Sequence, residues 1–231
     1  MNITSPEIEI NDVILDFEVT DTGIGLAGYN RDMETFGHSW RMTAHVGAMA
    51  RSVGWQEEQV QMLELAAPLH DTGKIGIPDT VLKKPASLDA EEWKIMKTHS
   101  TLGHRILSRS DAPIFKMAAD IALYHHEKWD GSGYPEGLAG QDIPQSARIV
   151  AIADVFDALT MKRPYKEPWS DESAFTEIRN CVGSHFDPEL MACFFDVQEE
   201  LQELKTMWDE KGKLENKNKV GWVMDQFKVQ F

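Results

Sequence analysis

His70 and Asp71 stand side by side where an apolar helical run (Val60, Met62, Leu63, Leu65, Ala66, Leu69) gives out, and the turn at Gly73 brings Lys74 back to the same helix end. An imidazole nitrogen and a carboxylate oxygen suit a first-row transition metal, and a carboxylate has two oxygens with which to bridge two ions. Alone, such a pair is more often a histidine capping the last helical carbonyls beside a surface aspartate. The weight comes from matching residues elsewhere. Glu34 and His38 are one helical turn apart, able to present both groups to one point or to form an exposed pair. His99 lies between Ile95 and Leu102 on an inward face, as a ligand or a hydrogen-bonded core residue. His125 and His126 end another apolar helix, just before the glycine-rich loop Trp129-Asp130-Gly131-Ser132-Gly133-Tyr134-Pro135. Asp154 and Asp157 sit on a helix that is apolar nearly all round, where an unpaired carboxylate is costly. Asp154 is therefore assigned to a metal with Asp157 behind it; a salt bridge to Arg148 or Arg163 is the rival reading.

Together the candidate ligands are Glu34, His38, His70, Asp71, His99, His125, His126 and Asp154, which use five of the chain's eight histidines. That is too many for one ion. No cysteine joins them, which disfavours structural zinc and favours iron, or manganese, in a multinuclear centre. Two cations about 3.5–4 Å apart make a bridging hydroxide available at neutral pH and neutralise phosphoryl charge during in-line attack. Lys74 could neutralise a non-bridging oxygen or protonate the departing one, or be a plain surface cation.

The elements that must position these groups read as helices, over about 31–53, 57–71, 90–109, 113–124, 146–159 and 171–181, with a last long helix after Pro188. Asp89 and Glu92 form a capping box at the start of the third. His45 continues the His38 face, solvent-facing or backing a ligand, and His104 reads as surface. Leu190, Phe194, Val197, Leu201, Leu204 and Trp208 make a short heptad seam, suited equally to core packing and to a homodimer through residues 190–208. The Lys/Glu/Asn stretch 209–219 reads as solvated. Alternation over 13–19 suggests a strand, and 220–231 a terminal strand that could pair with it. The expectation is an all-α fold with short terminal segments of β character, divided as an extension 1–28, a catalytic domain 29–208 and a tail 209–231.

A net charge of −15 over 231 residues repels a nucleic-acid polymer, and no basic patch offsets it. No membrane span or secretory signal is evident, and Cys181 and Cys193 lack metal-ligand spacing, so a cytoplasmic protein without a disulfide is expected.

The sequence resembles the HD-GYP family of HD-domain phosphohydrolases, which degrade cyclic di-GMP in bacteria. The match runs through Arg31-Asp32-Met33-Glu34-Thr35 with His38, His70-Asp71-Thr72-Gly73-Lys74, His99, His125-His126-Glu127-Lys128-Trp129-Asp130-Gly131-Ser132-Gly133-Tyr134-Pro135, Ala153-Asp154-Val155-Phe156-Asp157-Ala158-Leu159 and Arg163-Pro164-Tyr165, and covers roughly residues 28–205. The resemblance implies an HD-domain helical bundle holding two or three divalent ions, with His38, His70, Asp71 and Asp154 as the HD-type ligands. Asp71 would bridge, His99, His125 and His126 would complete a second site, and Glu34 would serve a third ion. Tyr134, Arg163 and Lys166 match substrate-contacting positions. Hydrolysis to pGpG or GMP and a diguanylate cyclase (GGDEF) partner docking on the Gly-Tyr-Pro loop are also implied. Three rivals are a phosphodiesterase for 3′,3′-cyclic GMP-AMP, a non-hydrolytic receptor, and a di-iron oxygenase on the same scaffold.

Overall fold

The computed structural model describes residues 35–161 and 167–215. Among them the chain forms helices α1 (Thr35–Val53), α2 (Glu57–Ala66), α3 (Asp79–Leu82), α4 (Ala90–Leu107), α5 (Pro113–Tyr124), α6 (Gln145–Thr160), α7 (Asp171–Asn180), α8 (Pro188–Asp196) and α9 (Gln198–Glu215). No strand occurs among the described residues, so the all-α reading stands. Glu34, Arg163, Lys166 and the segments 13–19 and 220–231 lie outside them.

The helix that is apolar all round is the innermost. Ala147, Ile149, Val150, Ile152, Ala153 and Phe156 of α6 are fully buried, each larger side chain contributing about 1.5–3 kcal/mol relative to exposure. On one side α6 meets α1, which also packs on α2, α8 and α9; on another it meets α5, which packs on α2 and α4. Phe156, Phe175 and Phe194 interlock with ring centroids 5.0–5.6 Å apart and tie α6 to α7 and α8.

Departures from the sequence reading have local causes. The helix expected over 57–71 ends at Ala66, because Pro68 has no N–H for an α-helical bond; a 3-10 turn, Ala67–Leu69, follows it. The capping box opens α4 as expected, Asp89 accepting from the Glu91 and Glu92 N–H groups and Glu92 accepting from the Asp89 N–H. The heptad seam is divided between two helices, with Val197 closing α8. Leu190, Phe194 and Leu201 of the seam are buried in this chain's own core, which is the core-packing alternative. Strong helix formers carry α9 through part of the stretch read as solvated, so position 208 falls inside a helix.

Candidate metal centre

Three helix ends and two helix middles converge. After the Pro68 turn, His70 Nδ1 lies 2.9 Å from the Ala67 carbonyl, and on α4 His99 Nδ1 lies 2.7 Å from that of Met96. At the end of α5, His125 Nδ1 is shared between the Ile121 and Ala122 carbonyls at 3.0 and 3.1 Å. Only a protonated nitrogen can donate to a carbonyl, so each of these rings keeps its Nε2 lone pair for the interior. His38 on α1 reaches the same state differently: its Nδ1 is 2.7 Å from Asp157 Oδ2, and Arg41 grips that carboxylate from behind, Nε to Oδ1 at 2.5 Å.

The free atoms face one another. His38 Nε2 lies 3.5 Å from Asp154 Oδ1, His70 Nε2 lies 3.2 Å from Asp71 Oδ2, and Asp71 Oδ1 lies 3.5 Å from His99 Nε2 and 3.9 Å from His125 Nε2. His126 Nε2 and His99 Nε2 are 3.1 Å apart. Three overlapping groups, His38/His70/Asp154, His70/Asp71/His125 and His99/His125/His126, each bring their ligand atoms within 4.8 Å of one another. Adjacent ligands at about 2.1 Å from one ion are separated by roughly 3.0–3.4 Å, so these spacings fit cations with little movement. Asp71 has one oxygen toward His70 and the other toward His99 and His125, the disposition of a bridging carboxylate.

Burial strengthens the case. His70 Nε2, Asp71 Oδ1 and His125 Nε2 are buried without hydrogen-bonding partners, and a group left in that state costs about 1–3 kcal/mol. Clustered in one place, they fit a divalent cation. Burial lowers the basicity of His99 and His125, and it holds His126 at about 3 with help from the neighbouring His99 charge. These imidazoles stay neutral at pH 7 and able to bind metal. Burial acts the same way on His70, but the adjoining Asp71 carboxylate outweighs it and raises His70 to about 9, so a cation bound here takes the place of a proton on Nε2. Burial alone would raise Asp71; Lys74, with Nζ 2.6 Å from Oδ2, and His70 hold it well below the usual carboxylate range.

Close backbone approach makes this possible. A Cβ on Gly73 would lie 1.8 Å from the His99 carbonyl oxygen and 2.5 Å from the Gly103 nitrogen, so only glycine lets the Asp71 turn lie against α4. In the loop after α5, a Cβ on Gly133 would lie 2.4 Å from the Lys128 nitrogen. Glu127 fastens that loop, its Oε1 accepting from the Glu136 and Gly137 N–H groups at 2.7 and 3.0 Å. Tyr134 is thereby stacked on His126, ring centroids 4.8 Å apart. Burial, then the charges of Asp71 and Asp154, hold its phenol in the protonated form.

The sequence-assigned residues His38, His70, Asp71, His99, His125, His126 and Asp154 are thus together, with Lys74 and Tyr134 beside them. Asp157 stands behind His38, in keeping with its assignment, and two alternatives left open by the sequence are resolved. The partner of Asp157 is Arg41; Arg148 instead pairs with Asp187, the residue capping α8. His45 does not face solvent: it is 1% exposed, with its ring edge on Phe156. The sequence signal for Arg41 is its place one turn after His38 on the same helix face, and docking of α1 onto α6 is what brings that face to Asp157.

A family model described as an HD domain matches residues 29–190. A cyclic di-GMP phosphodiesterase of Thermotoga maritima is 49% identical over 188 residues, 81% of this chain and 51% of the relative. A 3′3′-cGAMP-specific phosphodiesterase 2 of Vibrio cholerae is 48% identical over 170 residues, 74% of this chain and 33% of the relative. The chain therefore spans about half the length of the first and a third of the second. Among solved structures, the HD domain of the phosphodiesterase PgpH of L. monocytogenes superposes with a TM-score of 0.57 at 16% identity, over 80% of this chain and 98% of that one, and shares the fold.

Proposed function

The chain belongs to the HD-domain family, in its HD-GYP branch, and from that premise we propose that it is a metal-dependent phosphodiesterase hydrolysing cyclic di-GMP to pGpG, GMP or both. The observation that carries the reading is the convergence of buried, unpartnered Nε2 and carboxylate atoms on Asp71. The family implies divalent ions, and the thiol-free donor set suits Fe(II) first and Mn(II) second.

In this reading His38, His70, Asp71 and Asp154 hold one ion and His99, His125 and His126 a second, with Asp71 between them. Glu34, outside the described residues, is assigned to a third. Such ions, when bound, supply a water deprotonated near neutral pH and positive charge for the phosphoryl oxygens. The protein's own groups do the rest. Lys74, ion-paired to Asp71 and one-third exposed, is assigned to a phosphoryl oxygen or the departing 3′ oxygen. Tyr134 stays protonated and can donate to a phosphate. Arg163 and Lys166 are assigned to the dinucleotide on the family resemblance.

A second substrate, 3′,3′-cyclic GMP-AMP, is favoured by one observation: a relative named for it is nearly as similar as one named for cyclic di-GMP. Anaerobically purified protein supplied with Fe(II) or Mn(II) should release pGpG or GMP from cyclic di-GMP and carry two or three metals per chain, counted on the same sample. Persistence of cyclic di-GMP with metals bound, alongside cleavage of 3′,3′-cyclic GMP-AMP, would move the assignment to the second substrate. Metal-loaded protein that binds either nucleotide without cleaving it would be a receptor.

A further inference from the structure

Lys97 leaves α4 at an exposed position, yet its Nζ lies 4.9 Å from the centroid of the Tyr134 ring. That ring stacks on His126, whose Nε2 faces His99 Nε2 at 3.1 Å, so the ammonium is held at the rim of the histidine cluster. Its setting differs from that of most other lysines. Lys74, Lys83, Lys84, Lys94, Lys116 and Lys205 each pair with a carboxylate. Among the lysines with described side chains, only Lys97 and Lys128 have no such pairing, although acidic residues outnumber basic ones 38 to 23. A carboxylate would neutralise the ammonium. An aromatic face orients it while leaving its charge and N–H donors for an incoming anion.

A cyclic dinucleotide carries two phosphodiesters, and only one can be under attack at the metal cluster. We propose that Lys97, oriented by Tyr134, binds the phosphate that is not being cleaved. This rests on the cyclic-dinucleotide reading above and adds a residue to it. A lysine is a compact point charge on a flexible stem, suited to a phosphate whose exact position varies between substrates. Lys97 would then favour dinucleotides over simple diesters without touching the reacting atoms.

The test compares Lys97→Gln, Lys97→Arg and the control Lys94→Gln on cyclic di-GMP, 3′,3′-cyclic GMP-AMP and bis(p-nitrophenyl) phosphate, which has a single phosphate. With Lys97→Gln, KM for both dinucleotides should rise about tenfold with kcat within about twofold, so preference over the simple diester falls by the same factor. Lys97→Arg should recover most of that loss, Lys94→Gln should match the wild type, and metal per chain should be constant throughout. An unchanged KM would overturn the proposal. So would equal losses on all three substrates, which would mean that Lys97 acts only through the packing of Tyr134. A KM rise confined to one dinucleotide would place Lys97 against a base and overturn the phosphate assignment. If the wild type cleaves the simple diester but neither dinucleotide, the substrate reading has failed and this proposal with it; an active wild type with an insensitive Lys97→Gln rejects Lys97 alone.

Discussion

The two ends of the histidine cluster are oriented by different means. At the end formed by α4 and α5, with His70 beside it, Nδ1 of His70, His99 and His125 meets a backbone carbonyl three or four residues earlier in its own helical turn. At the α1/α6 end, His38 Nδ1 meets the Asp157 carboxylate 119 residues away, and Arg41 fixes that carboxylate from 116 residues away. Both arrangements leave Nε2 free for a cation. The first is written into the local helix and survives any substitution that keeps the helix. The second exists only when α1 and α6 have docked, and one side-chain substitution can remove it. Ligands held by backbone are robust, whereas those held by side chains couple the metal site to tertiary packing.

The most severe break removes the residues shared by both ends. His70→Ala combined with Asp71→Ala should abolish bound metal and lower phosphodiesterase activity by at least about 10³-fold. Metal content equal to wild type would refute the ligand assignment. Next, Asp157→Ala leaves the buried Arg41 guanidinium uncompensated and should cost about 3–5 kcal/mol of stability, read as a lower thermal midpoint. Asp157→Asn, which preserves shape, isolates the orienting effect. One ion per chain should bind about 10–100-fold more weakly while the other is retained. The counterpart at the backbone-held end is Met96→Ala: the acceptor for His99 is the carbonyl, so metal affinity should be unchanged. Equal sensitivity at positions 96 and 157 would erase the distinction between the two ends.

The same distinction explains what could be read from the sequence. The apolar periodicity of α2, α5 and α6 gave those helices, and the adjacency of His70 with Asp71 and of His125 with His126 gave most of the site, because these are relations within a turn or two. The break at Pro68 that frees His70 from a longer helix is also a local signal. Arg41 with Asp157 was missed because Arg148 and Arg163 are nearer in sequence to that aspartate, and only docking of α1 onto α6 decides between them. Lys97 was unreadable for a like reason: its ring partner is 37 residues away, on a loop whose path depends on Glu127 accepting from Glu136 and Gly137.

His45 offers the mildest test of how α1 depends on its surroundings. It stands two turns beyond His38 on the same face, but neither ring nitrogen has a hydrogen-bonding partner, the Leu201 backbone lying near without bonding geometry. Burial therefore lowers it to about 4, with the Asp157 charge opposing only in part. The folded state binds the proton more weakly than the unfolded chain, whose histidine titrates near about 6.5. Unfolding thus takes up a proton below that pH, and stability falls as pH drops from about 6.5 toward 4, by about 3 kcal/mol in full. His45→Leu keeps the volume and removes the titration. With metal saturating in both proteins, the variant should lose less stability than the wild type between pH 7 and pH 4.5 in denaturant titrations, and their curves should run parallel above pH 7. Parallel curves across the whole range would mean that His45 is reached by water or protonated in place, and that this part of α1 is held less tightly than the His38 end.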